Sequence, residues 1–508
     1  MKRRLSLFAL LLVLVMILTM VSSCGGNTEE SVQGQTSDGE FSSDASTEES
    51  THPTEDVLTI PEGFKWDKEE FVILTGGRTG SRFYGVYTEF GFNADELEAN
   101  VINDAVNNRN LAIEDLIGVR VVEKMMINND CSASGEMYST VFTQINGGLA
   151  DYDLVAPSLY QGAALAINDC LYNMLEIENN QLEKDWWDQF FIDEVAVNDR
   201  LYFATGDIGF FSRASVTVIY FNKETARNLE LGDVYALARE KKFTFDTMYS
   251  WMKLQEEDIN DDDVIDYKDK FGLGSQNDFV WALFYGAGQG IARKGEDDKP
   301  YLTINTETAL TISESISKIF TDSSFVNANH YFNVSSSPTK LLTEAFAEGR
   351  SLLYAEGLGS IEGLRNMEFE FGVLPVPLYD ENQERYYSFL NCWGSNSFGI
   401  PTSLEEDEAE NVMVIMNALG SVGKTTIAPA YMETTLKGQR LRDDDSEEML
   451  DIIFENIGCD IGHMFGFGNL GFDALHKLAD GQSLATLMDS LKSKAQADID
   501  KFVSVYFE

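Results

Sequence analysis

Short apolar runs that alternate with helical spacings constrain this chain more than any single motif. Phe71-Val72-Ile73-Leu74 runs into Thr75-Gly76-Gly77, a strand closing on a loop signal. Asn100 to Ile117 then has helical spacing, and Gly118-Val119-Arg120-Val121-Val122 opens a second strand. Tyr138 to Ile145 predicts another helix, followed by Asp151-Tyr152-Asp153-Leu154-Val155-Ala156-Pro157 as a third strand. Strands separated by helices predict a parallel α/β sheet, because only a long crossover returns the chain in the same direction. Ligands of such sheets bind beyond the carboxyl ends of the strands, which places the loops after Leu74 and Val155 on the functional edge.

The order downstream is mixed. Arg200 to Thr205 and Ser215 to Asn222 read as strands, with helix-rich sequence to about Asp258. Thr343 to Gly349 is a helix end, followed by strands at Ser351 to Tyr354 and Phe369 to Pro375. Beyond Pro401 the chain reads as mostly helical and closes on an amphipathic segment from Ser483 to Tyr506. About 450 globular residues correspond to two or three domains, and no internal repeat is evident.

Hydrophobic residues make up 44% of the chain and aromatics 12%, enough for a packed core despite a formal charge of -47. Removing the three basic side chains Lys2, Arg3 and Arg4 from that figure leaves -50. Such a surface repels phosphate backbones and anionic lipid heads, which argues against nucleic acid or broad membrane contact. Cys131, Cys170, Cys392 and Cys459 are widely spaced without a CxxC, so neither a disulfide-dense scaffold nor a zinc site is indicated. Buried thiols are the expectation, and spacing leaves any bridge unread.

The basic head Lys2-Arg3-Arg4 precedes an apolar run from Leu5 to Met20 and then Val21-Ser22-Ser23-Cys24. The run is shorter than the roughly 20 residues of a spanning helix, and the order is that of a secretory signal. Small residues before Cys24 resemble the lipobox of bacterial lipoproteins, which implies cleavage after residue 23 and lipid on Cys24. The expectation is a mature protein outside the cytoplasmic membrane. Residues 24–65 then form a polar, acidic stalk before Trp66 begins the globular part.

Three further stretches are similar to the carbohydrate-type extracellular solute-binding proteins that feed bacterial ABC importers. They are Leu201-Tyr202-Phe203-Ala204-Thr205 through Ile219-Tyr220-Phe221-Asn222-Lys223-Glu224; Ala345 to Ser351 followed by Phe371-Gly372-Val373-Leu374-Pro375-Val376-Pro377; and Pro429 to Gly438, which resembles a clostridial lipoprotein subgroup. The resemblance runs from about Trp66 to the C-terminus. It implies an α/β fold of two lobes, periplasmic-binding-protein-like and of type II, joined by hinge crossings with the ligand cleft between them. The implied first lobe spans 66–206 plus 357–402 and the second 207–356 plus 403–508. The crossings are expected near Thr205 to Phe211, Tyr354 to Gly359 and Pro401 to Leu404. The implied role is that of a monomeric, non-enzymatic binding protein delivering a sugar or oligosaccharide to ABC permease subunits. Two alternatives share these features: a surface lipoprotein glycoside hydrolase, and a ligand-binding module serving a sensor.

Among local motifs, Asp258 to Asp269 is the sharpest. Asp258, Asn260, Asp262, Asp266 and Asp269 occupy positions 1, 3, 5, 9 and 12 of an EF-hand or dockerin-like calcium loop, with the Val264 carbonyl at 7. Asp263 replaces the turn glycine and Asp269 the bidentate glutamate, so a structural Ca2+ competes with a plain acidic turn. Ala418-Leu419-Gly420-Ser421-Val422-Gly423-Lys424-Thr425 loosely fits a phosphate loop, but a helical run precedes it, so it reads as a helix end with glycine stops. His52, His330, His463 and His476 lack HExxH spacing, and no G-x-S-x-G elbow occurs. Carboxylates are too many for a glycosidase pair to be judged by counting.

Aromatics in loops complete the reading. Trp186 and Trp187 are expected in packing, whereas Trp281 and Trp393 neighbour glycine-rich or strand-end sequence. Strand ends nominate Gly76, Arg78, Ser158 and Tyr160 on one side and Trp393 at a further strand end, and the resemblance implies Asp207, Asn277, Trp281 and Glu356 as the rest of the ligand site. Carboxylates would accept from sugar hydroxyls, Arg78 would donate, and rings would cover sugar faces.

Overall fold

The first sheet is built on β1 (Phe71–Gly76), whose apolar residues are hydrogen-bonded on both sides. It pairs in parallel with β2 (Val121–Met126) and β3 (Leu154–Ala156), giving the order β2-β1-β3. Helices α1 (Val101–Ile117) and α2 (Glu136–Asn146) supply the crossovers that parallel pairing requires. Helix α3 (Leu159–Ile167) follows β3 directly, started by a capping box between Ser158 and Gln161. This is the architecture expected from the strand and helix spacings. The computed structural model describes residues 56–76, 89–91, 101–126, 130–364, 367–437 and 444–507. The lipobox with Cys24, the stalk to Glu55 and Arg78 lie outside these residues.

The second sheet has five strands in the order β10-β4-β9-β5-β8. They are β4 (Thr217–Asn222), β5 (Phe271–Ser275), β8 (Phe325–Asn327), β9 (Ser351–Gly357) and β10 (Phe371–Leu374). β5 runs parallel to both β8 and β9, while β4 is antiparallel to β9 and β10. Every residue of these five strands is buried, as expected of a sheet covered on both faces. A small hairpin, β6 (Ala292–Lys294) with β7 (Pro300–Leu302), lies outside the sheet. The parallel pair β11 (Ser388–Phe389) and β12 (Ile457–Gly458) does too.

The two sheets are linked by chain segments that run side by side. Ala204 pairs with Phe398, and Val216 with Leu390, both antiparallel. Residues 204–216 therefore leave the first sheet beside residues 390–398, which return to it. The expected boundaries do not follow these sheets. Phe371–Leu374, expected in the first lobe, hydrogen-bonds along β4 in the second sheet. The segment Tyr354 to Gly359 stays with that sheet too: Gly357 pairs with Thr217, and the Leu358 N–H donates to the Val216 carbonyl at 2.8 Å. The return crossing is at 390–396, not at Pro401 to Leu404, where Pro401 pairs with Leu171 on the first-lobe side.

The long helix α4 (Glu406–Lys437), expected in the second lobe, packs on α1 of the first. The glycines expected to stop a helix lie in its middle. A Cβ on Gly423 would sit 1.9 Å from the Asp207 carbonyl oxygen, and one on Gly420 would sit 2.7 Å from the Trp186 ring. Gly423 lets α4 lie close against the first crossing and Gly420 lets it approach Trp186, at a cost in helix propensity of about 1 kcal/mol each. Helix α4, not a strand, leads directly into Ala418, so this stretch does not make a phosphate loop. Trp186 and Trp187 are core residues, both donating to Asn417 Oδ1 (3.4 and 3.0 Å). Among the described residues, no helix is long and apolar enough to cross a membrane.

Candidate cleft between the two sheets

Three parallel strands of the second sheet end side by side, and each end carries polar side chains. Gln276, Asn277 and Asp278 follow β5, Asn327 and Asn329 end and follow β8, and Glu356 lies near the end of β9. They are knitted laterally. Gln276 Nε2 donates to Glu356 Oε1 at 3.1 Å, Asn327 Nδ2 donates to Asn277 Oδ1 at 2.8 Å, and the Asn277 N–H donates to Asn329 Oδ1 at 2.9 Å. These bonds hold amides and carboxylates in fixed orientation, so little side-chain entropy remains to be lost on meeting a polar ligand.

The carboxyl edge of the first sheet reaches the same place through Tyr160, four residues after β3. The Tyr160 hydroxyl and His463 Nε2 share a hydrogen bond of 2.7 Å. The His463 ring lies 4.4 Å from that of Trp281, in the helix Phe279–Gly286 after β5. Trp281 stacks in turn on His476, with centroids 4.2 Å apart and planes 7° from parallel. His476 Nε2 meets Asp278 Oδ1 at 3.1 Å, Asn391 Nδ2 donates to Asp278 Oδ2 at 3.3 Å, and Asn391 Oδ1 accepts from the Trp393 N–H at 2.9 Å. One continuous set of contacts thus joins Tyr160 to Trp393 and brings the strand ends of both sheets together.

Burial decides what each group can do. His463 is pushed down to about 3 by its burial, with His476 adding to the effect, so the ring is neutral. Burial raises Tyr160 well above the usual phenol range. Both partners therefore stay uncharged at ordinary pH, and the pair serves as a fixed polar joint. Trp281 is 4% exposed, its Nε1 donates to the Gly471 carbonyl at 2.8 Å, and histidine rings sit close by on His476 and His463. It supports the site from below instead of offering a ring face.

Within this contact set, Trp393 at 39% and Phe472 at 43% are exposed rings. Phe472 packs edge-on to Trp281 with centroids 4.9 Å apart. Phe472 was not anticipated from sequence; its only signal is an apolar residue within the glycine-rich run Gly466 to Asp473. Gln276, Asp278, Asn327, Asn329, Asn391, His463 and His476 were also missed.

The remaining expected residues divide. Asn277, Glu356 and Trp393 lie in this region. Ser158 is buried as the α3 cap, with its Oγ donating to the Cys131 carbonyl at 2.7 Å, so it is a structural residue. Gly76 ends β1 and contributes only backbone. Asp207 is buried and accepts from Arg213 Nη2 at 2.5 Å on the first crossing. Its carboxylate is engaged in holding that crossing, against the expectation that it meets ligand.

The acidic loop lies apart from the cleft. Glu257 and Lys270 pair antiparallel and close it. Carboxylate oxygens of Asp258, Asp262 and Asp269 come within 4.8 Å of one another. Asp263 adopts a φ of 63°, the left-handed conformation for which EF-hand loops use glycine at this position. Asp266, expected as a ligand, bonds Lys268 Nζ at 2.9 Å instead. Asn260 Oδ1 accepts from the Asp262 N–H at 3.0 Å, and Val264 is exposed. Hard oxygen donors from three converging carboxylates suit a calcium ion.

No protein-family profile matches this sequence, and no curated protein matches it. Among solved structures, the chain is similar to an ABC substrate-binding protein from Listeria monocytogenes in complex with cycloalternan. The two share 14% identity with a TM-score of 0.52, over 86% of this chain and 100% of that chain. The likeness agrees with two sheets joined by paired crossings: the chain has the two-lobed, periplasmic-binding-protein-like α/β fold.

Proposed function

We propose that this protein binds a small polar solute, a sugar or oligosaccharide, between its lobes and delivers it to an ABC permease without chemical change. The observation that carries this reading is the convergence of both carboxyl edges on one rim. There, oriented amides and carboxylates (Gln276, Asn277, Asn329, Glu356, Asp278, Asn391) lie near the exposed rings Trp393 and Phe472. Carboxylates and amides match sugar hydroxyls, and rings match sugar C–H faces. The structural neighbour, a substrate-binding protein in complex with cycloalternan, supports the same class of ligand. A thermal-shift and calorimetric screen of mono- and oligosaccharides tests this, since a ligand of the folded state raises its melting temperature. Release of shorter sugars during the assay would replace this reading with a glycoside hydrolase.

In this reading the mature chain is a monomer held by lipid on Cys24 at the outer face of the cytoplasmic membrane, and Asp258, Asp262 and Asp269 hold a structural Ca2+. A Cys24→Ser protein should leave the membrane fraction and keep its sugar affinity; loss of affinity would show that the anchor does more than locate the protein.

A further inference from the structure

Two cysteines that are 67 positions apart in the chain meet in the core. Cys392 follows β11 and Cys459 follows β12, and these two strands pair in parallel through Ser388–Ile457 and Phe389–Gly458. The Leu390 N–H donates to the Gly458 carbonyl at 2.8 Å, extending the ladder to the last residue before Cys459. The two Sγ atoms lie 2.8 Å apart, and both residues are buried. That separation is one small movement from the ~2.05 Å of a sulfur–sulfur bond. The Cys170 thiol is engaged elsewhere, donating to the Asn168 carbonyl at 3.3 Å.

We propose that Cys392 and Cys459 form a disulfide that ties β11 to β12. The bond would fix the ends of β11 and β12, which lead into two of the residues of the candidate cleft, Asn391 and His463. Cys392 lies between Asn391 and Trp393. Cys459 precedes Asp460, whose carboxylate accepts the N–H groups of Ile291, Ala292, Gly462 and His463 and so places the His463 turn. The crosslink itself does not depend on what the cleft binds.

Oxidised glutathione, or another disulfide of that class, supplies the oxidant. A thiolate of the pair attacks its S–S bond and expels one glutathione thiolate, leaving a mixed disulfide. The second cysteine then displaces the other glutathione, so two electrons pass from the pair to glutathione. The two protons lost by the cysteines end on two glutathione thiols. Burial, followed by the contact with Cys392, holds the Cys459 thiol well above the usual range. Thiolate is therefore scarce once the chain is folded, so the bond forms during folding and afterwards resists exchange.

The test is a peptide map of the full-length protein refolded with oxidised and reduced glutathione, alkylated in denaturant and digested without reduction. A crosslinked peptide joining Cys392 to Cys459, with Cys131 and Cys170 alkylated, is expected. Alkylated Cys392 and Cys459, or links to other cysteines, would overturn the proposal. Closing a loop of this length should also raise the melting temperature by about 4 °C over the same protein refolded with excess dithiothreitol. That difference should vanish in Cys392→Ser and Cys459→Ser proteins. Equal midpoints for the two wild-type preparations would likewise overturn it.

Discussion

Tyr160, which follows β3 of the first sheet, and His463, which follows β12, share a 2.7 Å hydrogen bond between two buried, uncharged rings. Neither ring can leave water without a polar partner, because an unpaired buried polar group costs about 1–3 kcal/mol. Each supplies the other's, and the bond holds the strand end of one sheet against the aromatic cluster of the other.

The histidine makes stability depend on pH. His463 falls to about 3 in the folded chain from an ordinary 6.5, through burial and then the neighbouring His476. Between these values the unfolded chain binds a proton that the folded chain excludes, so stability rises with pH across this window. At pH 4 the loss relative to neutral pH is on the order of 3 kcal/mol. His463→Gln should flatten the melting temperature between pH 4 and 6.5; an unchanged slope would show that the ring already gains its proton in the native state.

Exposed and buried rings should separate binding from folding. Trp393→Ala and Phe472→Ala should each weaken sugar binding by about 1–3 kcal/mol, taking the burial of an apolar side chain as guide, with little change in the unliganded melting temperature. Trp281→Ala should instead destabilise the fold by about 3–5 kcal/mol, since it empties a site packed by His463, His476 and Phe472. Calorimetry with each variant distinguishes the two classes, and normal affinity in both exposed-ring variants would place the ligand elsewhere.

The crossing depends on Asp207. Asp207→Ala would leave the Arg213 guanidinium largely buried without its main counter-charge, at a cost of about 3–5 kcal/mol. Chemical denaturation should show this loss before any change in affinity. A variant as stable as wild type would mean that Asp207 is free to serve the ligand.

Chelation should act through the acidic loop. If Asp258, Asp262 and Asp269 hold Ca2+, chelator should lower the melting temperature of the wild type, and Asp258→Ala should abolish the response. An equal response in both proteins would leave the loop as an acidic turn.

The α/β class was legible in sequence because parallel strands buried on both faces are nearly continuous apolar runs, as in Phe71-Val72-Ile73-Leu74 and Leu154-Val155-Ala156. Strand ends pointed to the loops after Leu74 and Val155; Asn277 and Glu356 came from the family resemblance, and the structure sets them just after β5 and near the end of β9. Element partners were not legible. Phe371-Gly372-Val373-Leu374 would suit either sheet, and only its pairing with β4 assigns it to the second. The glycines of α4 looked like helix stops because their purpose, close approach to Trp186 and the Asp207 backbone, involves residues more than 200 positions away.

The same holds at the cleft. The sequence by itself determined where the strands of the first sheet end, since backbone direction and burial are local properties with a period that can be read along the chain. Only the tertiary structure decided which aromatic is covered and which is open, that Asp207 is spent on Arg213, and that Cys392 meets Cys459. Exposure and partnership are properties of packing, set by residues from distant segments that no local pattern contains.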